Sequence, residues 1–99
     1  MAWEIVDDKY ICKNDCHLFL ITDANKMPIG ILYYYEHNDR VHISSFEVAK
    51  SVRGIGLGTA IMKSILRNNQ IDVNKILLKP FNRESERFWN KLGVKCFLY

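Results

Sequence analysis

No stretch of the sequence approaches the roughly 18 consecutive apolar residues of a membrane span, so neither a spanning helix nor a membrane partner is expected. The opening residues, MAWEIVDDKY, carry acids and no long apolar run, and they do not read as a secretory signal. Cysteine is scarce and odd in number: Cys12, Cys16 and Cys96. Three cysteines do not make a disulfide framework, and a reducing, cytoplasmic setting is the expectation. The C-x3-C-H spacing of Cys12, Cys16 and His17 is not a standard zinc pattern, so no metal is expected. One-sided charge is lacking too. Lys and Arg total 14 against 11 for Asp and Glu, a net +3. The basic residues are scattered rather than gathered into a stripe, which argues against a nucleic-acid partner. Internal repeats and low-complexity tracts are absent.

What is present suits one domain over residues 1–99. The chain has 99 residues, 48% of them apolar, enough for a modest core. Trp3, Ile5, Tyr10 and Ile11 suggest one or two short strands. His17 to Thr22 (HLFLIT), Ile29 to Glu36 (IGILYYYE) and Val41 to Val48 (VHISSFEV) read as strands. The turn-forming segments DANKMP and HNDR join them into an antiparallel meander. A helical pattern follows, with Leu57, Ile61, Met62, Ile65 and Leu66 at three- and four-residue spacing. Lys75 to Lys79 (KILLK) is a short buried strand. Asn82 is a good N-cap for a second helix, with Gly93 at its C-terminal end. Val94 to Tyr99 reads as a last strand. The order is β-β-β-α-β-α-β, an α/β (α+β) fold with a mixed, mostly antiparallel sheet and helices packed on it.

The third strand has an irregularity. Val41 and Ile43 share one parity, Phe46 and Val48 the other, so a regular strand could not turn all four to one core. One extra residue at Ser44–Ser45, a β-bulge, restores a single apolar face. His42 and Glu47 then lie on the opposite face.

The central feature is strand, glycine-rich turn, helix: Arg53-Gly54-Ile55-Gly56-Leu57-Gly58. Glycines let backbone approach a ligand closely. The first N–H groups of a helix lack internal partners and suit a pyrophosphate. The Walker pattern fails, because Gly58 is followed by Thr59 rather than Lys. The dinucleotide pattern G-x-G-x-x-G fails on spacing, and this loop follows antiparallel strands. An unrelated nucleotide-binding module is therefore the weakest reading.

The segment resembles the pyrophosphate loop of the GNAT superfamily of N-acetyltransferases, Q/R-x-x-G-x-G/A. Arg53, Gly56 and Gly58 occupy its fixed positions, and Val48 is the apolar residue five before the Arg. Lys50 stands where that family often has proline. A second family motif, roughly N-x-x-A-x-x-F-Y-x-K-x-G-F, is met by Asn82, Phe88, Lys91 and Gly93, with Ser85 and Val94 as near-matches. The resemblance runs from about Val41 to Val94.

The resemblance implies transfer of an acetyl group from acetyl-CoA to a primary amine on a protein, peptide or small molecule. It implies that main-chain groups of Arg53, Gly54, Ile55, Gly56, Leu57, Gly58 and Thr59 hold the pyrophosphate. Phe46, Glu47 and Val48 would hold the pantetheine and polarise the thioester, and Asn82 and Phe88 would meet it from the second helix. Some members of the family use a glutamate as base at the position of His42. His42 and Glu47 are thus the candidate bases. The position of the family's acidic Tyr is Trp89, whose indole N–H cannot serve as an acid. Tyr99 and the Tyr33–Tyr35 run are the candidate substitutes. A binder of acyl-CoA that does not turn over, a sensor or interaction module, is the alternative. The family's two helices after the first strand have no room between Lys9 and His17, and its C-terminal hairpin is cut to one strand. An open acceptor site, or one completed in a homodimer, is the expected consequence.

Overall fold

Alternating apolar and polar residues build four antiparallel strands in succession, as described by the computed structural model for residues 3–7, 16–95 and 97. They are β1 (Trp3–Asp7), β2 (Cys16–Asp23), β3 (Pro28–His37) and β4 (Arg40–Val48). After α1 (Leu57–Asn68), β5 (Ile76–Leu78) adds to the far side of β4, and α2 (Arg83–Lys91) follows. The sheet order is β1-β2-β3-β4-β5, antiparallel except for the parallel β4–β5 pair.

The turns explain the register. Asp23 Oδ1 accepts the N–H groups of Asn25 and Met27, at 2.9 and 3.0 Å, and closes the β2–β3 turn. Asn38 and Asp39 both take positive φ, 52° and 63°, as a two-residue hairpin of the type favoured by strand twist requires. From there β3 and β4 pair His37 with Arg40 up to Tyr34 with Ile43. The register then shifts: Tyr33 faces Ser45, leaving Ser44 as the extra residue. The expected bulge is therefore in place. Beyond it Phe46 pairs with Leu32 and Val48 with Gly30, on the face that also carries Ile43 and the buried Tyr34. His42, Ser45 and Glu47 pair with Tyr35, Tyr33 and Ile31 on the other face.

Both helices pack on the face of Phe46 and Val48. The ring of Phe46 stacks on Phe88 and meets Trp89 edge-on, at 5.8 and 5.9 Å between centroids. A Cβ added to Gly58 would touch Phe88, Val48 and Phe46 at 3.5 to 3.8 Å. Gly58 of α1 and Phe88 of α2 thus meet on the same side of the sheet. Leu57, Ile61, Met62 and Ile65 of α1 meet Ile21, Leu32 and Ile76 of the sheet in one core, with Trp89 and Val94 closing it.

The structure adds to the expected order at the N-terminal end, and part of the last expected strand lies outside the described residues. A fourth meander strand precedes the three, since Trp3 and Ile5 pack against the core while Glu4 and Val6 face out. It pairs with β2 from Trp3–Asp23 to Asp7–Phe19. Of the last expected strand, Phe97 makes a single parallel bridge to Leu78. Tyr10, Ile11, Cys12, Cys96 and Tyr99 lie outside the described residues. The Cys16 thiol is free and half-buried, and the His17 ring stacks on Tyr34 at 4.6 Å. Among the described residues no group of His, Cys, Asp and Glu is placed to hold a metal. No described helix is long and apolar enough to cross a membrane.

Candidate active site

β4 and β5 begin as ordinary partners and then separate. They pair Val41 with Ile76, His42 with Leu77 and Ile43 with Leu78, and no pairing follows. The bulge at Ser44 sits at that fork and bends β4 away. The gap is a groove of about 910 Å³. One wall is Ile43 to Val48; the other runs from Leu78 to Asn82 and onto α2.

The wall on β4 is a strand edge without a partner strand among the described residues. Ala49 N–H donates to the Ile29 carbonyl at 2.8 Å, which orients the ladder. Backbone groups alternate in direction along an antiparallel pair. Those of Glu47 therefore turn to β3, while those of Phe46 and Val48 turn to the gap. The Val48 carbonyl is already engaged, since Arg53 Nε donates to it at 2.6 Å. That bond ties the loop back onto the end of β4. The sequence grouped Phe46, Glu47 and Val48 together; strand geometry separates Glu47 from the other two.

The open end of the groove is the N-terminus of α1. Gly56 is the N-cap, in the left-handed region at φ 77°, and contributes no side-chain cap. Gly54 is also left-handed, at φ 83°. Ala60 N–H is the first to find an acceptor, the Gly56 carbonyl at 3.1 Å. Among the described residues nothing accepts from the N–H groups of Leu57, Gly58 and Thr59. These donors lie at the positive end of the helix dipole, a ready anion site. Arg53, Gly54, Gly56, Leu57, Gly58 and Thr59 all line the groove. Ile55 does not; its side chain is 64% exposed and only its backbone belongs to the loop.

From α2, Asn82, Phe88 and Trp89 reach the groove. Asn82 Oδ1 caps the helix by accepting Ser85 N–H at 2.9 Å. That leaves its amide NH2 free of partners among the described residues. Trp89 is buried against Phe88 and Phe46. Of the two candidate bases, Glu47 lines the groove and is exposed. His42 stops one residue short of the fork and stacks flat on Tyr35, at 4.6 Å and 3°. The structure does not bring these two side chains into one site. Sequence reasoning missed Ser44, Lys79, Phe81 and Glu84 among the lining residues. The one signal for Phe81 was its place between a strand end and a helix cap, where α/β folds set their binding loops.

Comparison with known proteins bears on this arrangement. No curated protein matches the sequence. Solved structures share its fold. IAA acetyltransferase from Bacillus cereus superposes with TM-score 0.72 at 10% identity, over 92% of this chain and 75% of that one. A mutant of the BH1408 protein from Bacillus halodurans gives 0.68 at 21% identity, over 87% and 63%. The ribosomal-protein-S18-alanine N-acetyltransferase from Escherichia coli gives 0.67 at 16% identity, over 83% and 54%. The matched part spans between 52% and 64% of the first three structures found. The model of the acetyltransferase (GNAT) family matches residues 1–94. By that match, and by the fork, loop and helix just described, the chain belongs to the GNAT acetyltransferase family.

Proposed function

We propose that the protein transfers an acetyl group from acetyl-CoA to a primary amine. The observation that carries this reading is the continuity of two unpaired sets of backbone donors. The free edge of β4 at Phe46 and Val48 runs toward the open N–H groups of Leu57, Gly58 and Thr59. A donor with an amide-bearing arm and a pyrophosphate fits both. The arm would lie along β4 as an added strand, with the Asn82 amide reaching it from α2. The pyrophosphate would rest on α1.

The chemistry follows from the same groups. The acceptor amine must be neutral to attack, while a lysine-type ammonium has a pKa of about 10.4. Glu47, exposed beside the gap, takes that proton directly or through water. The amine nitrogen bonds to the thioester carbon, and the carbonyl oxygen becomes negative. N–H groups of Phe46 and Val48 stabilise that oxyanion in place. The C–S bond then breaks and CoA leaves as a thiolate. Trp89 supplies no proton, but a thiol with a pKa of about 8.5 leaves without one. His42 remains a second base through water, and its stack on Tyr35 counts against it.

A specific observation favours a second reading, a non-catalytic binder of acyl-CoA: the buried Trp89 where the family places a phenol. Two experiments decide. Calorimetric titration with acetyl-CoA, CoA and ATP is expected to show micromolar acetyl-CoA affinity and much weaker ATP affinity. Thiol release with a panel of primary amines then separates enzyme from binder. Comparable affinity for ATP would contradict both readings. The free Cys16 thiol suits a reducing compartment, and we place the reaction in the cytosol. A homodimer is the expected assembly, because no described helix covers the sheet face bearing Leu20, Ile31 and Tyr33. A strict monomer in sedimentation at micromolar concentration would contradict it.

A further inference from the structure

Phe81 is 93% exposed, the most exposed large apolar side chain among the described residues. It nevertheless lines the groove. The core has no use for it, since α2 packs through Phe88, Trp89 and Leu92. Its backbone is held on both sides. Pro80 precedes it with a fixed φ, and Asn82 follows, bonded to Ser85 as the cap of α2. A ring on so short a tether loses little freedom when a ligand covers it.

Across the groove stands Glu47. Phe81 is three residues past Leu78, and Glu47 is four past Ile43, one of which is the bulge residue Ser44. Both line the groove, on its facing walls past the last β4–β5 pair. An aromatic ring and a carboxylate on facing walls of one groove, both open to solvent, make a site with two complementary demands. The carboxylate attracts an ammonium. The ring offers an apolar wall and a negative π face.

We propose that Phe81 determines acceptor specificity, selecting a primary amine carried on an apolar or aromatic body. The inference rests on the acetyltransferase reading above. The body of the acceptor covers the ring, and its amino group reaches across to Glu47 and the thioester. A small hydroxylated amine has nothing to place on the ring and gains nothing from it.

The test uses acetyl-CoA affinity by calorimetry and kcat/KM by thiol release, with phenethylamine and ethanolamine as probes. The proteins are wild type, Phe81→Ser and Phe81→Tyr. Wild type is expected to prefer phenethylamine by about tenfold or more. Phe81→Ser should lose about tenfold on phenethylamine alone, and Phe81→Tyr should keep the preference. Rates are compared at saturating acetyl-CoA for each protein, because Phe81 also lines the groove proposed for the donor's arm. An unchanged preference in Phe81→Ser, or an equal loss on both amines, overturns the inference. So does a wild type that binds acetyl-CoA but does not acetylate phenethylamine. A wild type that fails to bind acetyl-CoA removes the acetyltransferase reading itself, and the inference with it.

Discussion

The three glycines of the loop serve different physical needs. Gly54 and Gly56 sit at φ 83° and 77°, and a Cβ at either would meet nothing within 4 Å. Space does not require them; backbone conformation does. Gly58 has the opposite character, with helical backbone and neighbours at 3.5 to 3.8 Å. Gly56→Val should cost about 1–2 kcal/mol of stability. Calorimetry should show its acetyl-CoA binding abolished, because relief of that strain re-aims the loop N–H groups. Gly58→Ala should fold with equal or slightly greater stability, by up to about 1 kcal/mol from helix propensity, and bind acetyl-CoA within a few-fold of wild type. Equal damage from both changes would contradict this division. The loop residues were legible in the sequence because their spacing is itself the constraint. Phe81 was not, since composition does not distinguish a phenylalanine in the core from one at a groove. Which of Glu47 and His42 reaches the groove depended on the side of the fork each fell, and that is a tertiary fact.

The two helices end alike by unlike means. In α2, Val94 N–H reaches the Trp89 carbonyl and Gly93 N–H that of Asn90, with Gly93 at φ 91°. In α1, Ile71 N–H reaches Leu66 and Gln70 N–H reaches Arg67, with Gln70 at φ 54°. Both have the bond pattern of a Schellman end, but only one has the residue that adopts it freely. Gln70→Gly is therefore expected to stabilise the protein by about 1 kcal/mol in urea denaturation. A loss of stability would show that Gln70 has contacts worth more than its strain. At the other end of α2, Asn82→Ala removes the bond to Ser85 and should cost about 1 kcal/mol. For a domain of this size that lowers Tm by about 4–8 °C. An unchanged Tm would mean that the cap is replaced locally. Elements with a clear local signal were legible: β2 and β3 followed from β-favouring residues between turn formers, the bulge from parity, and α1 from its three- and four-residue spacing. β1 was obscured because only Trp3 and Ile5 show its inward face over five residues. The separation of β4 from β5 left no local mark beyond the bulge, because parity shows an extra residue but not which neighbouring strand it parts from.

In the whole molecule, one face of the sheet carries both helices and the other carries none among the described residues. The half-exposed Tyr33 and the exposed Tyr35 and Val6 belong to that second face. A ligand that binds only the folded chain stabilises it by mass action, by about 2.7 kcal/mol at a hundred times its Kd. Saturating acetyl-CoA should accordingly raise Tm by on the order of 10 °C, and ATP at the same concentration should not. Equal shifts from both would place the effect elsewhere than the fork. The fork also has a consequence for how the protein is cut. Where β4 leaves β5, a run of backbone lies beside a slot rather than beside another strand. When the slot is empty, that run is held by β3 alone, and its local opening is the step that admits a protease. When the slot is filled, the small molecule holds the second edge and opposes that opening. Digestion in the segment from Ser44 to Val48 should then slow as acetyl-CoA is added, so that, on the proposed function, the lifetime of the chain would track the supply of its acyl donor.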